Sequence, residues 1–149
     1  MQKLDFAEAV DLIVSRDPRY DREAYSFVRD ALDYTVKLRK KSRELPISSH
    51  VSGQQLLDGI RQYALKQYGP MVVTVLTYWG VKRCEDFGEL VFNLIKTGVF
   101  GKTDTDSLDD FKDGYSFDEA FVEPYLPSMP QVLHIRPAVV ADPAAEQLN

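Results

Sequence analysis

"EDFGELVFNLIKTGVFGKT", residues 85–103, reads as a helix that runs through a glycine stop into a short strand. Phe87, Leu90, Val91, Leu94 and Ile95 recur at helical spacing and form one apolar stripe. Glu85 and Asp86 suit the positive end of the helix dipole, and Gly98 closes the helix because glycine accepts the left-handed backbone there. VFGKT and, beyond an acidic interval, YSF at 115–117 are then expected to pair as two short strands. A helix followed by such a hairpin is the signature of a winged-helix unit. The expected fold is therefore mainly α with a small α+β element: about five helices, a two-stranded hairpin and an extended C-terminal tail. A single compact domain is expected over 1–125, with its winged-helix-like part at 52–118.

Upstream, Phe6, Ala9, Val10 and Ile13 mark a first amphipathic helix that ends at Asp17 and Pro18. Asp21 offers an N-cap to a long second helix through Lys41, whose stripe is Tyr25, Val28, Leu32 and Thr35 or Val36. Ser52 and Gln55 form a capping box for a third helix, carrying Leu56, Leu57, Ile60, Tyr63 and Ala64 up to Gly69 and Pro70. The next run, MVVTVLTYWG, has strand-like composition and no polar alternation. Its Gly-Pro entry and its exit at Gly80 favour a short buried helix, with strand as the alternative. Tyr78 and Trp79 are expected in the core. SFDEAFVEPY adds a last helical turn. Five of the eight prolines fall in the final 26 residues, so 126–149 is expected to be extended or disordered.

Charge is distributed unevenly. Residues 1–50 hold ten Lys/Arg against nine Asp/Glu, 51–100 hold five against four, and 101–149 hold three against ten, which sum to −5. The acidity thus lies after Phe100, where it repels a polyanion locally. If the apolar stripe of 85–96 faces inward, Glu85, Glu89, Asn93 and Lys96 face out. Asp104, Asp106, Asp109, Asp110 and Asp113 crowd the expected wing. Carboxylates at those places oppose phosphate contact, so this helix is not expected to read a DNA duplex. The cationic surface lies elsewhere: Lys37, Arg39, Lys40, Lys41 and Arg43 close the second helix, where they favour its dipole and are able to grip a phosphate backbone.

Signatures of several chemistries are missing from the sequence. His50 and His134 are far apart, and there is no HExxH, CxxC, GxGxxG or GxxxxGK[ST]. An EF-hand begun at Asp104 fails, since Leu108 and Asp109 occupy its fifth and sixth positions. No cofactor or metal is expected. Cys84 is the only cysteine, which suits a reducing, cytoplasmic setting. Lys82 and Arg83 flank it at a helix start, yet nothing in the sequence brings His50 to it. No apolar run approaches the ~20 residues that span a bilayer, and the N-terminal MQKLDFAEAV carries acids where a signal peptide needs a basic start.

Across roughly 20–125, HVSGQQLLDGIRQYAL, YGPMVVTVLTYWG, EDFGELVFNLIKTGVFGKT, DDF and Y-x-F resemble an uncharacterised bacterial family described as restricted to Verrucomicrobia and Planctomycetes. The resemblance implies no activity, ligand or catalytic residue. Two functional expectations stand. One is a non-catalytic module that binds an unidentified protein, with Val132, Leu133, His134 and Ile135 of the tail alternating as an added strand would. The other is nucleic-acid or ribonucleoprotein association through Lys37, Arg39, Lys40, Lys41 and Arg43.

Overall fold

The computed structural model describes residues 4–42, 51–101, 108–112 and 114–127. Among them are five α-helices: α1 (Phe6–Arg16), α2 (Arg22–Ser42), α3 (Gly53–Tyr68), α4 (Val72–Tyr78) and α5 (Cys84–Lys96). Local chemistry sets most boundaries. The Asp5 carboxylate accepts from Glu8 N at 2.8 Å, and the Glu8 side chain accepts from Asp5 N, a capping box that starts α1. Asp21 Oδ1 accepts from Glu23 N at 2.9 Å to start α2. Ser52 and Gln55 exchange the two bonds that the sequence led us to expect at the start of α3. A 3-10 turn, Gly69–Met71, carries Pro70 and leads into α4, which settles the run 71–79 as helix rather than strand.

α2 packs against α1, α3 and α5, and the buried side chains form a contiguous cluster. Tyr25, Val28, Leu57, Ile60, Leu76, Phe87, Leu90 and Leu94 are among its fully buried helical members. Phe27 sits at the centre of an aromatic group, with ring centroids 5.5 Å from Trp79, 5.6 Å from Tyr63 and 6.4 Å from Phe87. The chain continues through Phe87 to Phe117 at 5.8 Å and Phe117 to Phe121 at 5.2 Å, so the C-terminal turns extend the same apolar core.

No strand occurs among the described residues, and the expected hairpin and winged-helix arrangement at 52–118 are not found. The reason lies in where the backbone hydrogen bonds go. Val99 N donates to Leu94 O at 3.1 Å and Gly98 N to Ile95 O at 3.0 Å, with Gly98 at φ 82. This is a Schellman closure, and Phe100 N joins it at 3.3 Å to the same Leu94 oxygen. The amides that a ladder would need are therefore spent on the end of α5. On the other side, Tyr115 O accepts from Cys84 Sγ at 3.4 Å, and Tyr115 Oη donates to Leu57 O at 2.7 Å. Between them, Leu108–Phe111 forms a 3-10 turn whose Phe111 ring lies where a Cβ on Gly53 or Gly88 would meet it at 3.2 or 3.0 Å. Residues 102–107 and 113, including Asp104, Asp106 and Asp113, lie outside the described residues. A π-helical turn, Asp118–Val122, and a 3-10 turn, Glu123–Tyr125, supply the last helical segment expected from SFDEAFVEPY.

Candidate functional site

The apolar stripe of α5 faces inward as its spacing requires: Phe87, Leu90 and Leu94 are fully buried and Val91 nearly so. Its other face is not an open recognition surface. Asn93, expected outside, is 8% exposed. Its Nδ2 donates to Tyr25 Oη at 3.1 Å and to Asp17 Oδ2 at 3.2 Å. Asp17 also accepts from Arg19 Nε and Nη2 at 2.9 and 2.7 Å, and Arg19 Nη2 reaches Glu89 at 3.2 Å. The Arg19 guanidinium holds the Asp17 carboxyl well below the usual carboxylate range. Tyr20 Oη donates to Asp86 Oδ1 at 2.6 Å, and Lys82 N donates to Asp86 Oδ2 at 2.8 Å. Burial first, and that hydrogen bond second, push the Tyr20 hydroxyl upward. Thus Asp86, Glu89 and Asn93 bind the turn between α1 and α2, and only Glu85 and Lys96 of the expected outward set lack a partner in that turn.

Cys84 is buried, and desolvation pushes its thiol up to about 11. A thiol held protonated is a poor nucleophile, so Lys82 and Arg83 do not activate it. His50 lies outside the described residues. Among the described residues no three His, Cys, Asp or Glu come together as a metal site, and no helix is long and apolar enough to cross a membrane.

At the end of α2, Lys40 and Lys41 are exposed, while Lys37 pairs with Asp33 at 2.9 Å. Arg39 is half-buried and faces a cleft of about 350 Å³ shared with Gln54, Gln55, Asp58 and Gln62. Of the five expected cations, Arg39 turns toward α3, and Arg43 lies outside the described residues. An apolar groove of about 410 Å³ runs along the other side of α2, lined by Leu32, Val36, Leu56, Phe92, Val99 and Phe100. Val132, Leu133, His134 and Ile135 lie outside the described residues, as does all of 128–149.

Among the described residues, the most exposed apolar surface is one that the sequence reading placed in the core. α4 buries Val72 and Leu76, and Trp79 is 8% exposed, but Met71 is 54% and Tyr78 81% exposed. Positions 72, 76 and 79 share one helical face, whereas 71, 74 and 78 share the opposite one. Thr74 and Thr77 are exposed with them. Beside this ridge, Tyr125 (47% exposed) places its hydroxyl 3.8 Å from where a Cβ on Gly69 would stand, and Leu126 (58%) follows it. The sequence held a signal for this ridge. Between Lys66 and Lys82 there is no Asp, Glu, Lys or Arg, the longest such run in the chain, and a run without charge reads as buried until its helical period is split into two faces.

Set against protein families, against characterised proteins and against solved structures, the chain gives no match in any of the three comparisons.

Proposed function

We propose that this chain is a non-catalytic protein-interaction module that works in the cytoplasm, and that α4 supplies its contact surface. The observation that carries the reading is Tyr78, 81% exposed on a ridge with Met71 and without a charged neighbour in the run from Gln67 to Val81. Tyrosine and methionine are enriched at the centres of protein interfaces, where charge is depleted. A rigid aromatic offers large contact area at little entropic cost. The reducing compartment is supported by the single buried thiol of Cys84.

The test replaces Tyr78 with a photo-crosslinking amino acid in the full chain, with Ala7, exposed on α1, as the control position. Efficient crosslinking to protein from position 78, whether to another protein or to a second copy, and little from position 7, is the expected result. Equal, low yields from both positions overturn the reading.

The exposed Lys40 and Lys41 favour a second reading, association with nucleic acid through the end of α2. It requires binding that weakens steeply with salt. Lys40→Gln with Lys41→Gln lowers the log–log salt slope by about 1.4 to 1.8, depending on strandedness. A mobility-shift assay without a retarded band at low salt removes this reading.

A further inference from the structure

We infer that the apolar groove beside α2, a site separate from α4, is where the chain docks its own C-terminal segment, with Leu133, Ile135, Val139 and Val140 along the groove and Arg136 against Asp110. Residues 128–149 lie outside the described residues. Three features select this segment as the occupant.

The first is an acid set in an apolar wall. Leu32, Val36, Leu56, Val99 and Phe100 line the groove of about 410 Å³, and Asp110 is the one charged side chain among its described lining residues. Its neighbour Asp109 pairs with Lys112 at 2.9 Å, whereas no described cation pairs with Asp110. Such a wall favours an occupant that is apolar and carries a single cation. The C-terminal segment has that composition. Between Glu123 and Asp142 its only Asp, Glu, Lys or Arg is Arg136, which stands among Leu133, Ile135, Val139 and Val140.

The second is reach. Tyr125 places its hydroxyl 3.8 Å from where a Cβ on Gly69 would stand, so the chain leaves the described residues near the C-terminal end of α3. Asp110 marks the other end of that helix, its Cβ 2.5 Å from where a Cβ on Gly53 would stand. The helical rise from Gly53 to Gly69 is about 24 Å. Nine residues separate Pro127 from Arg136, and nine extended residues span about 30 Å. Arg136 thus reaches Asp110 with little slack, and its apolar neighbours fall along the groove.

The third is linkage. A segment tethered this closely faces the groove at an effective concentration of about millimolar, so it fills the site ahead of a free peptide of similar affinity. Residues 132–136 alternate as an added strand would, yet no strand edge occurs among the described residues to receive them. A groove takes the same alternate side chains from an extended chain, and Pro130 and Pro137 oppose a helix there.

The test attaches a nitroxide through Ile135→Cys in the full chain, with buried Cys84 left in place. The expected result is broadening of the methyl resonances of Leu32, Val36 and Val99, while those of Val72 and Leu76 in α4, beyond the far end of α3, stay sharp. Isotope-labelled chain without nitroxide, mixed with nitroxide-bearing chain without isotope, shows no broadening, because the contact is within one molecule. Leu133→Asp with Val139→Asp abolishes the effect. Arg136→Asp lowers the docked-to-free ratio about two- to fivefold, and adding Asp110→Arg restores it. Groove methyls that stay sharp, broadening that appears in the mixed sample, or broadening indifferent to the Leu133 and Val139 changes each overturn the inference.

Discussion

At Gly59 a hydrogen atom sets the spacing of the two longest helices. A Cβ built there stands 1.7 Å from Thr35 Oγ1 and 2.8 Å from Thr35 Cβ, so α2 and α3 approach as they do only because position 59 has no side chain. Gly59→Ala is expected to destabilise the fold by about 1–3 kcal/mol, read from urea unfolding. Adding Thr35→Ala recovers only part of the loss, since it removes the hydroxyl and leaves the Cβ in place. Cys84 gives a second prediction. Its thiol is raised by burial from 9.0 to about 11. Because the folded value lies above the unfolded one, the stability linked to Cys84 is complete below pH about 9 and disappears as pH rises through about 11. Cys84 should thus resist alkylation at neutral pH in the native chain and react freely in denaturant, and Cys84→Ala should flatten the onset of alkaline destabilisation.

Helix boundaries were the most legible feature of the sequence because their chemistry is local. Ser52 and Gln55, Asp21, and Gly98 act through atoms within a few residues, and the structure places each as its spacing requires. Ser52→Ala removes the bond accepted from Gln55 N at 3.1 Å and is expected to cost about 1 kcal/mol in unfolding free energy. The strand reading of Val99 and Phe100 failed at the same scale for a different reason. Propensity says what a residue tolerates, whereas a ladder depends on whether its amide is free, and here both amides already bond Leu94 O. Asn93 and Tyr78 exchanged places between expectation and structure because a helical wheel fixes which residues share a face, not what covers that face. The turn at Asp17–Tyr20 covers Asn93, and none of the described elements covers Tyr78. Of the candidate contact surface, then, the charge-free run was visible in the sequence, but its outward aim was a property of packing.

On the scale of the molecule, acid sensitivity comes from the junction between the first turn and α5. The Asp17 carboxyl is held below its ordinary value of 3.8, chiefly by Arg19. A folded value below the unfolded one means that its contribution is present above pH about 3.8 and is lost as pH falls further. Asp17→Asn is expected to lower stability at neutral pH and to flatten the acid limb, as measured by melting temperature from about pH 2 to about pH 7. The same junction carries one more contact. Gly80, at φ 89, leaves room for Arg19 O where a Cβ would come within 2.4 Å, and Asp21 N donates to Trp79 O at 3.0 Å. Two turns distant in sequence meet there, and opening either one breaks the bond between Asp21 N and Trp79 O. The amide proton of Asp21, although it sits beside an exposed helix start, should therefore exchange with deuterium only as fast as one of the two turns opens, which makes one backbone hydrogen a clock for the junction.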